Sequence, residues 1–204
     1  MPSERLGTMS NRSKVLRTLL LLGIVAVIAG AGVFSAFSSQ TENPGNVITT
    51  GTVTIEDNDG GTALYSMTAA KPGESKTSCI KVTYKGTLPS TVKLFTGSAI
   101  GALGPYVNLK VEAGTQTTSS FPSCTEFTPA ASGATVYEGT LSAFAAEHAT
   151  YATGITTNPA SATKWETNDS VVYRFTATLS SSAPNSAQGA TTGSHAFTWE
   201  AQNQ

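Results

Sequence analysis

The sequence predicts an all-β sandwich with one short helix on its flank. Three observations carry this reading. Thr, Ser, Gly and Ala fill the chain, and Thr favours strands while Gly and Ser favour turns. Apolar and branched residues recur in groups with a two-residue period, most clearly over residues 171–179. Turn signals separate these groups at short intervals. The 204 residues allow one domain of ordinary size. Only 12% of them are charged, about half the usual share. The net charge of −1 argues against a nucleic-acid partner, which would need clustered Lys and Arg. A coiled coil would need far more Glu, Lys and Leu at heptad spacing.

The N-terminus reads as an export signal. Arg12, Lys14 and Arg17 precede an uncharged stretch over residues 18–41. Its apolar centre, LLLLGIVAVIAGAGVF, is followed by small residues, which is the order of a secretory signal. The rival reading is a membrane anchor, since the stretch is just long enough to span a bilayer. Gly23, Gly30 and Gly32 weaken that reading, and Ser35-Ala36 offers a cleavage point. Cleavage between Ala36 and Phe37 divides the chain into a signal peptide (1–36) and one sandwich domain with an extended N-terminal segment (37–204). Of the 12 basic and 13 acidic residues, four and one are then removed, which leaves a net charge of −4.

Cys79 and Cys124 both fall in the exported part. An even pair in an oxidising compartment is most simply a disulfide. A metal site is the weaker reading, because two cysteines without nearby histidines do not complete a tetrahedral set.

The elements follow in order. Residues 37–46 form a polar lead-in, or a strand interrupted by Pro44-Gly45. Residues 47–55 alternate branched side chains as a strand does. Residues 57–61 (DNDGG) make a turn, without the full spacing of a calcium loop. Residues 63–68 are a short strand, and Lys71-Pro72-Gly73-Glu74 a turn. Over residues 77–84, Cys79, Lys81 and Thr83 share one face, and Ile80, Val82 and Tyr84 the other. Strands follow at 91–95 and 106–111, the latter with Val107, Leu109 and Val111 on one face. Leu141, Phe144, Ala145 and His148 fall at helical spacing, with Thr140 as a cap. The last strands are 171–179 and 196–201, where Phe197, Trp199 and Ala201 share a face.

The search for a reactive centre finds little. His148 follows Glu147, but no second histidine completes a zinc-protease motif. His195 sits in a Ser/Gly/Thr turn, and both histidines read as surface residues. There is no GxSxG elbow, phosphate-binding Gly-Lys loop or CxxC pair. Serines are too frequent to point to one nucleophile. Asn168-Asp169-Ser170 fits the glycosylation pattern, which recurs by chance. Trp165 and Trp199 read as core residues. The expectation is a non-enzyme with no cofactor and no metal.

Several segments together resemble the TasA/camelysin family of exported bacterial proteins. These are GAGVFSAFSSQTE (30–42), NVITTGTVTIED (46–57) and KPGESKTSCIKVTYKGTLPSTVKLF (71–95). YRFTATL (173–179), the 187–189 turn AQG and FTWEAQ (197–202) are similar to its actinobacterial branch. Family signals end in a bulky residue, a small pair with Ala at the cut, and Phe, which matches Phe34-Ser35-Ala36 and Phe37. The resemblance implies a jelly-roll sandwich and a dedicated signal peptidase. It also implies assembly with copies of itself, and with other matrix components, into extracellular biofilm-matrix fibres. The metalloprotease activity attached to the camelysin name finds no ligand set here.

An edge strand with unpaired N–H and C=O groups templates pairing with another chain. The expected assembly device is therefore a donated N-terminal strand, with Phe37 as leading apolar anchor and Val47 and Ile48 as later ones. The alternative is a monomeric binding or adhesion module on the same sandwich.

Overall fold

The computed structural model describes residues 38–40 and 51–203. The expected signal peptide, the cleavage pair Ala36 and Phe37, and the anchors Val47 and Ile48 lie outside these residues.

Two antiparallel sheets face each other across one core. The first runs in the order β1 (Ser38–Gln40), β10 (Thr198–Gln202), β4 (Thr91–Phe95), β8 (Ile155–Thr156). The second runs β2 (Ile55–Asp57), β3 (Ser75–Tyr84), β9 (Ser170–Leu179), β5 (Val107–Gln116), β6 (Phe127–Pro129). A sixth strand, β7 (Thr135–Thr140), also pairs with β5. The helix α1 (Leu141–Glu147) follows β7 directly.

The predicted alternation sets the inward faces. Ile80, Val82 and Tyr84 of β3 are buried, as are Tyr173, Phe175 and Ala177 of β9 and Val107, Leu109 and Val111 of β5. The opposing sheet supplies Val92 and Leu94 from β4 and Trp199 and Ala201 from β10. Trp165 is fully buried and donates its indole N–H to the Thr157 carbonyl at 2.6 Å. Each such large side chain removed from water contributes roughly 2–3 kcal/mol. The helix ends a strand because Thr140 caps it: its hydroxyl accepts from the Ala143 N–H at 3.1 Å. Leu141 and Phe144 then enter the core from one face.

On the outer face of the six-stranded sheet, Arg174 of β9 binds Glu112 of β5 through two nitrogens, at 2.7 and 2.9 Å. Lys110 stands 3.3 Å away from the same carboxylate, and the Phe127 ring lies 4.5 Å from the guanidinium. Burial alone would raise the Glu112 carboxyl, but the hydrogen bonds and charges of Arg174 and Lys110 outweigh it and hold the group below its usual range.

Several sequence expectations are corrected here. Within 47–55, the described part becomes a strand only at Ile55. Gly51 has φ +48° and packs against Leu88, and the carbonyls of Thr52 and Thr54 bind N–H groups of the 85–87 turn instead of a regular ladder. Residues 63–68 are not a strand. Leu64, Tyr65 and Met67 pack against the core from an irregular strap, and Ala69 after them takes φ 52°. The strand expected at 106–111 extends to Gln116. Strands β6, β7 and β8 were not anticipated. The 57–61 turn is closed by its own carboxylates: Asp57 accepts from the Asp59 N–H and Asp59 from the Gly61 N–H.

Candidate functional site

The border of the four-stranded sheet is the first place where function can be read. β10 lies one strand in from that border, and the strand outside it is β1. Ser38 faces Gln202, Ser39 faces Ala201 and Gln40 faces Glu200. The ladder is three residues long. β10 itself has five, with Trp199 and Ala201 buried inward and Glu200 also nearly buried. The N-terminal segment thus covers the outer rim of the C-terminal strand in the same chain. Of the two expectations for residues 37–46, lead-in or interrupted strand, the described residues 38–40 form a short strand.

The second feature is a groove at the end of the sandwich where β10 begins. Its walls are two irregular straps, residues 63–72 and 183–195. Two adjoining hollows of about 620 and 520 Å3 share Met67, Ala70, Leu103, Leu179, Thr191 and Thr192. The floor is apolar, with Val107, Leu141 and Phe197. Across the rim, the Tyr65 hydroxyl and His195 Nε2 are 2.8 Å apart. His195 Nδ1 is 3.0 Å from the Gly193 carbonyl, which only accepts, so Nδ1 carries a proton, and in that tautomer Nε2 accepts from Tyr65. Burial pushes the Tyr65 phenol well above its ordinary range.

The histidines, expected as surface residues, are half-buried against aromatic rings. His195 is half-buried with its ring 5.8 Å from that of Phe197. His148, with 22% of its side chain exposed, packs 5.2 Å from Phe144 and 5.8 Å from Tyr137. Phe144 and Phe197 are themselves 5.5 Å apart, so one aromatic cluster joins both histidines. Two histidines at opposite ends of such a cluster serve packing, each edge or face contact adding about 1 kcal/mol. Nothing in single-residue periodicity marks this, because the partners are far apart in sequence.

Cys79 and Cys124 are joined as a disulfide, with 5.1 Å between Cα atoms. It ties β3 to the 117–126 loop, where the Cys79 N–H also donates to the Pro122 carbonyl. Another hollow, of about 720 Å3, lies between the β5–β6 region and residues 155–162. Its lining has only small, hydroxyl, amide and aliphatic side chains and offers no group for acid–base chemistry. Among the described residues there is no cluster of three or more potential metal ligands, and no helix long and apolar enough to cross a membrane.

The fold and these features define a disulfide-tied antiparallel β-sandwich whose N-terminal strand borders its C-terminal one. No protein-family model matches the chain, and no curated protein matches it at a significant level.

Proposed function

We propose that this chain is an exported structural subunit of an extracellular fibre or biofilm matrix, built on a jelly-roll-like sandwich. Copies join head to tail when one gives its N-terminal strand to the β10 rim of the next. The observation that carries this reading is the β1–β10 ladder: a terminal strand, only three residues long, on the rim of the last strand. A short terminal ladder exchanges between copies at little cost, because the same contacts re-form in the partner. Head-to-tail exchange need not close on itself, so it gives filaments rather than dimers. The resemblance of several segments to the TasA/camelysin family supports the same reading. The disulfide is compatible with an oxidising location. Cleavage between Ala36 and Phe37 would free the donated strand only after export.

A monomeric adhesion module is the second reading. It is favoured by the same ladder taken at face value, since β1 already covers the rim of its own chain.

Negative-stain microscopy of the exported protein separates them. Filaments are expected from the wild type, and folded monomers from a chain lacking residues 37–43. Filaments of normal length from the truncated chain would end the donated-strand mechanism. Single particles from the wild type would favour the adhesion module.

A further inference from the structure

We infer that the β3 border from Ser75 to Cys79 is a second pairing surface, fitted to the same border of another copy of this chain, and that the Cys79–Cys124 bridge keeps it shut by holding the 117–126 loop across it. This inference stands apart from the donated strand.

β3 has ten residues, yet on its outer side β2 pairs only with Val82, Thr83 and Tyr84. Backbone groups of successive strand residues point to alternate sides. The Tyr84 N–H points toward β9 and donates to the Asp169 carbonyl, while the Lys85 N–H points the other way, to Thr54. Odd-numbered residues of β3 therefore present their N–H and C=O groups at the border. The Lys81 N–H goes to Asn58 Oδ1 at 2.8 Å, and the Cys79 N–H to the Pro122 carbonyl at 3.0 Å. Thr77 and Ser75 have the same orientation. Both are exposed, and among the described residues no strand pairs with them on that side.

The 117–126 loop thus stands where a border strand would run. Ser119 Oγ accepts from Asn58 Nδ2 at 3.0 Å, Phe121 packs against the core, and Pro122 holds the Cys79 N–H. Hydrogen bonds of this kind open and re-form, because water competes for the same groups. The bridge is covalent and starts from Cys79 itself, so it confines the loop to the residue that the loop blocks.

The border is complementary to itself. When Thr77 faces Thr77 of a second copy in an antiparallel pair, Ser75 faces Cys79 and Cys79 faces Ser75. All are border-facing residues, and each facing pair exchanges two bonds, about six in all. Facing side chains lie on the same side of the sheet. Lys76 then falls opposite Ser78 of the second copy, a donor beside a buried hydroxyl that has no partner among the described residues. The neighbouring register, with Ser75 facing Thr77, would set Lys76 against Lys76 and is disfavoured. With the loop in place both outer pairs are blocked, since each needs the Cys79 N–H that Pro122 holds.

Sedimentation equilibrium tests this on exported chains that also carry prolines at Ser39 and Gln40, so that the donated strand plays no part. With the bridge intact the mass of a monomer is expected. With Cys79→Ser and Cys124→Ser the mass is expected to rise twofold as concentration increases. Thr77→Pro added to that variant is expected to return it to the monomer. This proline removes a border N–H and leaves the β9 ladder whole, because the Thr77 N–H points away from β9. Should the serine chain lose its far-ultraviolet β signature, dithiothreitol replaces the mutations. Its two thiols close to a cyclic disulfide while Cys79 and Cys124 take up the two electrons and two protons, and the same masses are expected. Monomers at every concentration from the opened chain would overturn the inference. So would a dimer that is indifferent to Thr77→Pro, or one already present with the bridge closed. None of these results bears on the donated strand.

Discussion

Tyr65 and His195 stand 130 residues apart in sequence and share a 2.8 Å hydrogen bond across the mouth of the groove. The phenol donates and Nε2 accepts, because Nδ1 is committed to the Gly193 carbonyl. The pair pins two long irregular straps to each other at the end of the sandwich, where the second strap also receives the Gly101 and Leu103 N–H groups on its Thr192 and Thr191 carbonyls.

Replacing Tyr65 with Phe removes this pin and leaves the ring in place. The expected loss is about 1 kcal/mol of stability, the ordinary net worth of such a bond. Urea unfolding at neutral pH measures it. An unchanged midpoint would mean that packing and the backbone bonds from Gly101 and Leu103 hold the straps without it.

Alkaline pH should unfold the domain through its buried phenols. Burial raises both Tyr65 and Tyr173 from an ordinary value near 10, and the Tyr173 hydroxyl is bonded to that of Thr157 inside the core. A raised pKa in the fold means stability that is whole below pH 10 and falls as pH rises above it, because only the unfolded chain readily releases the proton. Each such tyrosine contributes a slope of about −1.4 kcal/mol per pH unit there. Thermal unfolding followed from pH 9 to 11 should show the fall, and a flat profile would contradict the burial of these groups.

Serine at both Cys79 and Cys124 should lower stability by roughly 4 kcal/mol on the chain-entropy account, given the 45-residue separation of the bridge. Denaturant unfolding of the double variant against the wild type is the measurement. The variant should still show the far-ultraviolet signature of a β domain, since the core lies mainly between the sheets and not around the bridge.

Arg174→Ala leaves the Glu112 carboxylate on a nearly covered surface with only Lys110 beside it. The expected cost is about 2 kcal/mol at pH 7. Acid should shrink the difference. The Glu112 pKa is depressed in the fold, so its stabilisation is present above the unfolded value and is lost as pH falls through the folded one. A difference that stays constant down to pH 2 would place the effect in packing of the arginine stem against Phe127 instead.

Prolines at Ser39 and Gln40 together remove an N–H from β1 whichever of the two residues turns its own toward β10. Filaments should vanish, while the melting temperature of the monomer moves by less than about 2 °C, because a three-residue rim ladder holds little of the fold. Filaments that survive both prolines would show that another surface joins the subunits.

The long strands and the helix were legible because each has a period that only one secondary structure satisfies. Ser170–Leu179 alternates over its whole length, and residues 141–148 switch to helical spacing just after a capping threonine. Short elements carry no such period. Phe127–Pro129 and Ile155–Thr156 are strands only because β5 and β4 offer them a ladder. Thr135–Thr140 did carry a signal, since TVYEGT is rich in branched and aromatic residues, but it is broken by Glu138 and Gly139. The expected strand at 63–68 failed for the converse reason: its apolar side chains serve the groove wall rather than a sheet face. The cysteine pairing was readable from the even number and the expectation of export. The groove was not, because it is made by straps that meet only once both sheets are stacked.

The sheet that holds β1 at one border ends at the other with β8, a strand of two residues. Two residues are too few to template a further strand, so within this sheet the proposed acceptor at β10 has no rival at the other border. If copies join as proposed, each, with one strand to give and one rim to receive, would be, in polymer terms, a bifunctional monomer: growth would be linear and unbranched, and its extent governed by stoichiometry. A copy without residues 37–43 still receives but cannot give. Mixed in as a small fraction, it would act as a chain stopper and set the mean length of the thread in inverse proportion to its share.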